Sequence, residues 1–175
     1  MSRLVGLFVT IGSDRLGHEL HLRNSQITGN SYIGGIAGGK NEGTQAACSF
    51  RGTVEATDAY AGGNAGRNGN GGGIYGCYSI ATSVTAGSYA YGIAGRNWST
   101  ITGCHWLTGG GQPGAATYNV GSGASTTNCN SFTNVAGIND YIDLMNDAIT
   151  GNSPGYTMIW QAGTGTDDWP GLVDK

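Results

Sequence analysis

The sequence predicts an all-β fold, a parallel, right-handed β-solenoid of about five irregular coils over residues 3–135, followed by a small C-terminal α/β cap over residues 138–175. Three observations predict it. A tyrosine- and glycine-containing heptad recurs as Tyr32-Ile33-Gly34-Gly35-Ile36-Ala37-Gly38, Tyr60-Ala61-Gly62-Gly63-Asn64-Ala65-Gly66 and Tyr89-Ala90-Tyr91-Gly92-Ile93-Ala94-Gly95, at offsets of 28 and 29 residues. All four cysteines, Cys48, Cys77, Cys104 and Cys129, fall at one position of that repeat, with spacings of 29, 27 and 25. The apolar runs are short, alternating or β-branched, and bounded by glycine and asparagine, and none has helical spacing before residue 138. A period of about 20 to 50 residues marks a stacked architecture, in which each unit buries its apolar face only against its neighbours.

The elements follow in order. Leu4-Val5-Gly6-Leu7-Phe8-Val9 reads as a divergent first copy and Tyr118, with Gly121 and Cys129, as a weak last one. Two or three strands of about five residues per coil place equivalent positions one above another at the strand spacing of about 4.8 Å. On that arrangement Gly35, Gly63, Gly92 and Gly38, Gly66, Gly95 serve positive φ or close approach at corners, and Asn41, Asn68 and Asn97 supply left-handed corners. The cysteines form one inward column of buried, reduced thiols, because a free cysteine packs as a small apolar residue. From residue 138 the period becomes helical: Tyr141, Leu144, Met145, Ala148 and Ile149 share a face, with Asn139 or Asp140 as N-cap and Gly151 as stop. Tyr156 to Trp160 reads as a strand and Trp169-Pro170-Gly171-Leu172 as an apolar finish. An open solenoid end exposes unpaired backbone, and the annex is expected to cover it.

The tetrads Gly35-Ile36-Ala37-Gly38, Gly63-Asn64-Ala65-Gly66 and Gly92-Ile93-Ala94-Gly95, each leading through a glycine- and asparagine-rich corner to a cysteine, resemble the GLUG motif of large bacterial surface proteins, among them adhesins and non-catalytic regions of some immunoglobulin-cleaving metalloproteases. The resemblance runs over roughly residues 3–175. Asn64 departs from the usual apolar residue, and Val9-Thr10 breaks the first tetrad. What the resemblance implies is a β-helical stalk or adhesive segment without assigned catalytic residues, at the bacterial cell surface or otherwise extracellular.

Composition narrows the function classes. Only 11% of the 175 residues are charged and the net charge is −3, which gives no electrostatic case for nucleic acid. Six of the eleven acidic residues lie after residue 138, leaving the solenoid nearly uncharged. No stretch is long or apolar enough for membrane insertion, and Met1 to Ile11 lacks the small-residue cleavage site of a signal peptide, so an exported chain would be part of something longer.

The residues give little for catalysis. Cys104-His105 cannot form a nucleophile and base, because adjacent strand residues face opposite sides. His18 and His21 lack further metal ligands, the cysteines lack close pairing, and Glu55 and Asp58 are an isolated carboxylate pair best read as solvated. No catalytic residue, metal or cofactor is therefore expected. Two groups remain as binding candidates. Lys40, Arg67 and Arg96 would stack like charges on successive corners, either solvated or holding an anion; Trp98, His105, Trp106 and the tyrosine column would offer flat faces to glycans. The expected function is a structural, adhesive rod segment, with a glycan-binding module or a polysaccharide-active β-helix enzyme as alternatives. Partners would be host or environmental glycans, further copies of the chain joined head to tail, or an upstream domain.

Overall fold

The computed structural model describes residues 5–12, 16–41, 43–108, 125–153, 155–164 and 168–175. The chain forms a β-solenoid of about four turns whose strands run parallel around four faces. The first face stacks an isolated bridge at Val5 on β4 (Ile33–Gly34), β8 (Tyr60–Gly62) and β13 (Tyr89–Tyr91). The second stacks β1 (Phe8–Ile11), β5 (Ala37–Asn41), β9 (Ala65–Asn68) and β14 (Ala94–Asn97). The third stacks β2 (Leu16–His18), β6 (Thr44–Ala46), β10 (Gly73–Tyr75), β15 (Thr100–Thr102) and β17 (Ser125–Thr127). The fourth carries β3 (His21–Gly29), β7 (Ser49–Ala56), the shorter β11 (Tyr78–Ser79) and β12 (Ser83–Ala86), then β16 (His105–Leu107) and β18 (Asn130–Phe132). Among the described residues a fifth layer is thus present on the third and fourth faces. The sequence copy at Tyr118 and Gly121 lies outside the described residues.

The register is the sequence period made physical. Tyr60 lies opposite Tyr89, Ala65 opposite Ala94, Arg67 opposite Arg96, Asn68 opposite Asn97 and Ile74 opposite Ile101. Like therefore packs on like, and Ile36, Ile74, Ile93 and Ile101 share one fully buried cluster with Cys48, Cys77 and Cys104. Stacked small and β-branched side chains fill a cross-section too narrow for a conventional core.

The first glycine of each tetrad shows how narrow it is. A Cβ on Gly63 would collide with Ser79 Oγ from the opposite wall and with the Gly92 carbonyl of the next turn. Gly35 meets Phe50 in the same way and Gly92 meets Trp106, and Phe50, Ser79 and Trp106 are themselves in register. Close approach, not positive φ, is what these glycines provide. The left-handed corner lies elsewhere, immediately before each cysteine and before Leu20 in the first turn, where Glu19 (φ 57°), Ala47 (φ 50°), Gly76 (φ 54°), Gly103 (φ 57°) and Asn128 (φ 53°) form a column between the third and fourth faces. Asn68 and Asn97, expected at left-handed corners, have ordinary φ and point inward. Both are fully buried, and Asn68 Nδ2 donates to Asn97 Oδ1 at 2.8 Å while Asn97 Oδ1 also accepts from the Ser99 amide. An amide ladder running along the stack satisfies what a lone buried asparagine would leave unpaired.

The small α/β cap is present, and it covers a flank of the solenoid as well as touching its last layer. It comprises α1 (Val135–Asn139), α2 (Ile142–Asn152) and the antiparallel pair β19 (Met158–Gln161) and β20 (Gly171–Asp174). The single helix expected from residue 138 is two, since Asn134 caps an earlier start by accepting from the Gly137 amide at 2.9 Å and the chain turns at Asp140. α2 runs through Gly151 to Asn152, with Tyr141 at its N-cap position. Met145, Ala148 and Ile149 are its buried side. They lie against the left-handed column, where a Cβ on Gly76 would stand 2.5 Å from Ile149 Cγ1 and one on Gly103 would stand 2.6 Å from Ala148 Cβ. Residues without bulk at that corner let the helix approach the backbone.

Trp160 is the anchor. It is buried, packs edge-on to Tyr78 at 4.9 Å, and donates from Nε1 to the Gly76 carbonyl at 2.6 Å. Tyr78 in turn donates to the Pro170 carbonyl at 2.8 Å, and Phe132 of the last layer sits 5.9 Å from Trp169. The first strand is treated differently. β1 is the edge of the second face, and Phe8 and Val9 within it and Leu7 just before it are the large apolar side chains most open to water among the described residues.

Candidate functional site

The second face brings together most of the residues that the sequence singled out for binding. Arg67 of β9 and Arg96 of β14 are direct neighbours in the ladder. Both guanidinium groups lie on Trp98, with their Cζ atoms 3.7 and 4.1 Å from the indole centroid. Beside them, around the corner on the first face, Tyr32, Tyr60 and Tyr89 form a continuous stack with centroids 4.9 and 5.2 Å apart and planes 13° from parallel. Arg96 joins the two groups: its Cζ lies 5.2 Å from the Tyr60 ring, and its Nη1 donates to Tyr32 Oη at 3.2 Å.

Local sequence explains the placement. Alternation along a strand turns Arg67 and Arg96 outward while Asn68 and Asn97 turn inward. Tyr60 and Tyr89 open their strands and Tyr32, at φ 53°, immediately precedes β4, so the stacked aromatic column is half covered by its own neighbours. Burial lowers the Arg67 guanidinium below its ordinary value, Arg96 adding to the effect and Tyr32 opposing it. Among the described residues no carboxylate pairs with either arginine.

The other candidates are placed differently. Lys40 is on β5, but β5 holds one extra residue between the pairs Ala37–Ala65 and Asn41–Asn68, so the bulge breaks an even three-charge ladder; the basic residues also lie in strands and not at corners. Trp106 turns inward over Gly92 and packs against the buried cluster that contains Ile93 and Cys104. Trp98 offers its ring to the arginines. Glu55 is solvent-exposed in the ladder, level with Thr28 and Thr85, while Asp58 accepts a hydrogen bond from Ser31 at 2.7 Å.

The cysteine column is inward, as its repeat position predicts. All four thiols are free. Cys48, Cys77 and Cys104 are fully buried, and the Cys77 and Cys104 sulfurs accept from the amides of Cys48 and Cys77, each at 3.4 Å. Burial pushes these three thiols well above the ordinary cysteine value. Cys129 differs, because it ends the column and is only half buried; the hydrogen bond from Cys104 holds its value down against the effect of burial. The expectation of four equivalent slow thiols is therefore corrected to three and one. Native alkylation should label Cys129 rapidly and the others only on unfolding, and Cys129→Ser should abolish the fast phase. Two or more fast thiols in the folded chain would contradict the column.

Sequence reading missed a third constellation. The chain has three histidines, and each meets an aromatic ring of the C-terminal cap. His18 is edge-on to Tyr156 at 4.5 Å, His21 is edge-on to Trp160 at 5.4 Å, and His105 stacks on Tyr141 at 4.5 Å with planes 5° from parallel. His21 Nδ1 also shares a 2.7 Å hydrogen bond with Ser49 Oγ. Burial lowers all three imidazoles; Glu19 opposes it at His18 and His21, and Arg23 reinforces it at His21. His105, fully buried, is pushed down from 6.5 to about 4, with the Asn130 backbone opposing.

A histidine kept neutral by the fold stabilises it above the unfolded value and loses that contribution as acid protonates the unfolded chain. His105 should therefore remove about 3 kcal/mol of stability between pH 6.5 and pH 4. Denaturant midpoints measured across that window check it. His105→Gln should flatten the dependence, and an equally steep profile in that variant would place the effect elsewhere.

No protein-family model, no curated protein and no solved structure matches the chain. What the site does must come from its geometry. Two outward cations on one indole, beside a row of phenols, make a surface that donates hydrogen bonds and attracts negative charge.

Proposed function

We propose that the chain is a structural, adhesive rod segment of a bacterial cell-surface protein or filament, extracellular and non-catalytic. The observation that carries this reading is the in-register repetition of outer side chains, Tyr32 on Tyr60 on Tyr89 and Arg67 on Arg96, over a closed inner stack. A solenoid repeats one surface at every turn, which suits multivalent attachment and resists local unfolding because each turn is held on both sides. The GLUG-like tetrads support the same reading, since their glycines are where the two walls of the solenoid meet.

Edge strand β1, with Phe8 and Val9 exposed within it and Leu7 just before it, is the place where a preceding domain or a second copy would add a strand, giving a head-to-tail rod. A polysaccharide-active enzyme is the weaker reading, as Glu55 is solvent-exposed while Asp58 is held by Ser31.

Display of the chain on a non-adherent bacterium tests the proposal. Cells carrying it should be retained on a polysaccharide-coated surface under flow, and retention no better than that of undecorated cells would overturn the adhesive role.

A further inference from the structure

The ring faces of this site are already occupied, and that decides what else can bind. Neutral sugars are held chiefly by laying their C–H face on an open aromatic face. Here the tyrosines cover one another at 4.9 and 5.2 Å, Trp98 is covered by two guanidinium groups, and Trp106 is turned inward. What the surface presents is edges. With each guanidinium Cζ about one ring thickness from the indole centroid and both Nε atoms buried, the terminal Nη groups are the donors left to a ligand, and a stacked phenol column presents its hydroxyls in a row.

The charge of the site points the same way. Arg67 and Arg96 stand on adjacent layers, share one ring, and have no carboxylate partner among the described residues. Two like charges so placed repel one another, and an anion lying along them relieves the repulsion while accepting from both forks. Six of the eleven acidic residues belong to the C-terminal segment, and of the described solenoid carboxylates Glu55 is solvent-exposed and Asp58 is engaged by Ser31. The field is thus local: a positive strip on a protein of net charge −3.

We infer that the strip formed by Arg67, Arg96, Trp98 and the hydroxyl edges of Tyr32 and Tyr60 binds an acidic polysaccharide, with its carboxylate or sulfate groups on the arginine forks and its hydroxyls along the phenol row. Sugar carboxylates and sulfates both offer the paired oxygens that a guanidinium fork takes two at a time. A polymer suits the strip better than a small anion does, because successive layers repeat the same donors. Nucleic acid is the competing polyanion; it is disfavoured by the net negative charge of the whole chain and by ring faces that are not open for bases to stack on. The inference rests on the adhesive reading and gives it a ligand class.

The test is equilibrium binding of the whole chain to polygalacturonate and to dextran sulfate, with unmodified dextran and double-stranded DNA as comparators. Binding to at least one acidic polysaccharide is expected, at least tenfold tighter than to dextran or DNA, and weakening as salt rises from about 50 to 200 mM. The double variant Arg67→Gln/Arg96→Gln should lose tenfold or more. Arg67→Lys/Arg96→Lys, which keeps the charge and removes the fork, should fall between the two. A shift in tryptophan emission on binding, absent in Trp98→Phe, places the ligand on this strip even if the glutamine variant does not fold. No binding to either acidic polymer, equal binding to dextran, equal or tighter binding to DNA, or binding without change at Trp98 would overturn the inference. Binding in vitro without retention of displaying cells would overturn the adhesive role alone.

Discussion

Gly63→Val prevents the solenoid from closing and costs about 3 kcal/mol or more, enough to leave a marginally stable chain largely unfolded at room temperature. The reason is geometric. The new Cβ collides with Ser79 Oγ across the lumen and with the Gly92 carbonyl one turn on, and only the first of these can move. Backbone in a stacked ladder cannot yield without breaking the pairing of β9 with β14, whose register runs from Ala65–Ala94 to Asn68–Asn97. Urea unfolding followed by far-ultraviolet circular dichroism reads the effect. Gly151→Ala provides the contrast, because Gly151 lies in a helix with nothing within 4 Å of the added methyl, and it should gain about 0.5–1 kcal/mol. A Gly63→Val chain as stable as the parent would mean that the two walls do not meet there.

Trp160→Ala has the second large effect, about 3–5 kcal/mol, and a different character. Its ring is buried against Tyr78 and His21, its indole N–H satisfies the Gly76 carbonyl at a left-handed corner, and its backbone is clamped at both ends by Asn146, whose Oδ1 accepts at 2.8 Å and whose Nδ2 donates at 3.0 Å. Truncation removes the wedge that joins β19, α2 and the solenoid flank. The cap should loosen first. Hydrogen exchange should accelerate throughout α2 and β19 while the strands of the second face stay protected, and an apolar dye should find the flank formed by Ala47, Tyr78 and Ile80. Simultaneous exchange of cap and solenoid would show that the two unfold as one unit.

Much of this architecture was legible in the sequence because a solenoid writes its period directly into the chain. Tyr60 and Tyr89, 29 residues apart, are one layer apart, and the cysteines fall into a column for the same reason. What the period does not encode is direction at a single residue. Asn68 and Asn97 read as corner residues since asparagine tolerates positive φ, yet the ladder turned them inward, where two stacked amides satisfy each other better than either would alone. The true corner was available in the column Ala47, Gly76, Gly103 and Asn128, just before each cysteine, but Ala47 disguised it, an alanine at φ 50° being strained in isolation.

The site shows the same division. Arg67 and Arg96 were identified as stacked, but no one-dimensional pattern states that Trp98, two residues after Arg96, folds back onto both guanidinium groups. The irregularity that leaves Lys40 without a direct ladder partner on β9 is one extra glycine in β5, visible only once Asn41 and Asn68 are aligned. The histidines were invisible as a set. His18, His21 and His105 share no spacing, and they meet because the cap lies along the flank from the first turn to the last.

The central claim is that equivalent residues of successive turns stand side by side in parallel. Nuclear Overhauser contacts between backbone protons test it most directly. The account predicts cross-strand contacts joining Tyr60 with Tyr89, Ala65 with Ala94, Ile74 with Ile101 and His105 with Asn130, so that partners advance together along the chain, and an antiparallel pattern between Met158–Gln161 and Gly171–Asp174. Contacts in which one partner advances as the other retreats, anywhere within residues 33–107, would contradict it.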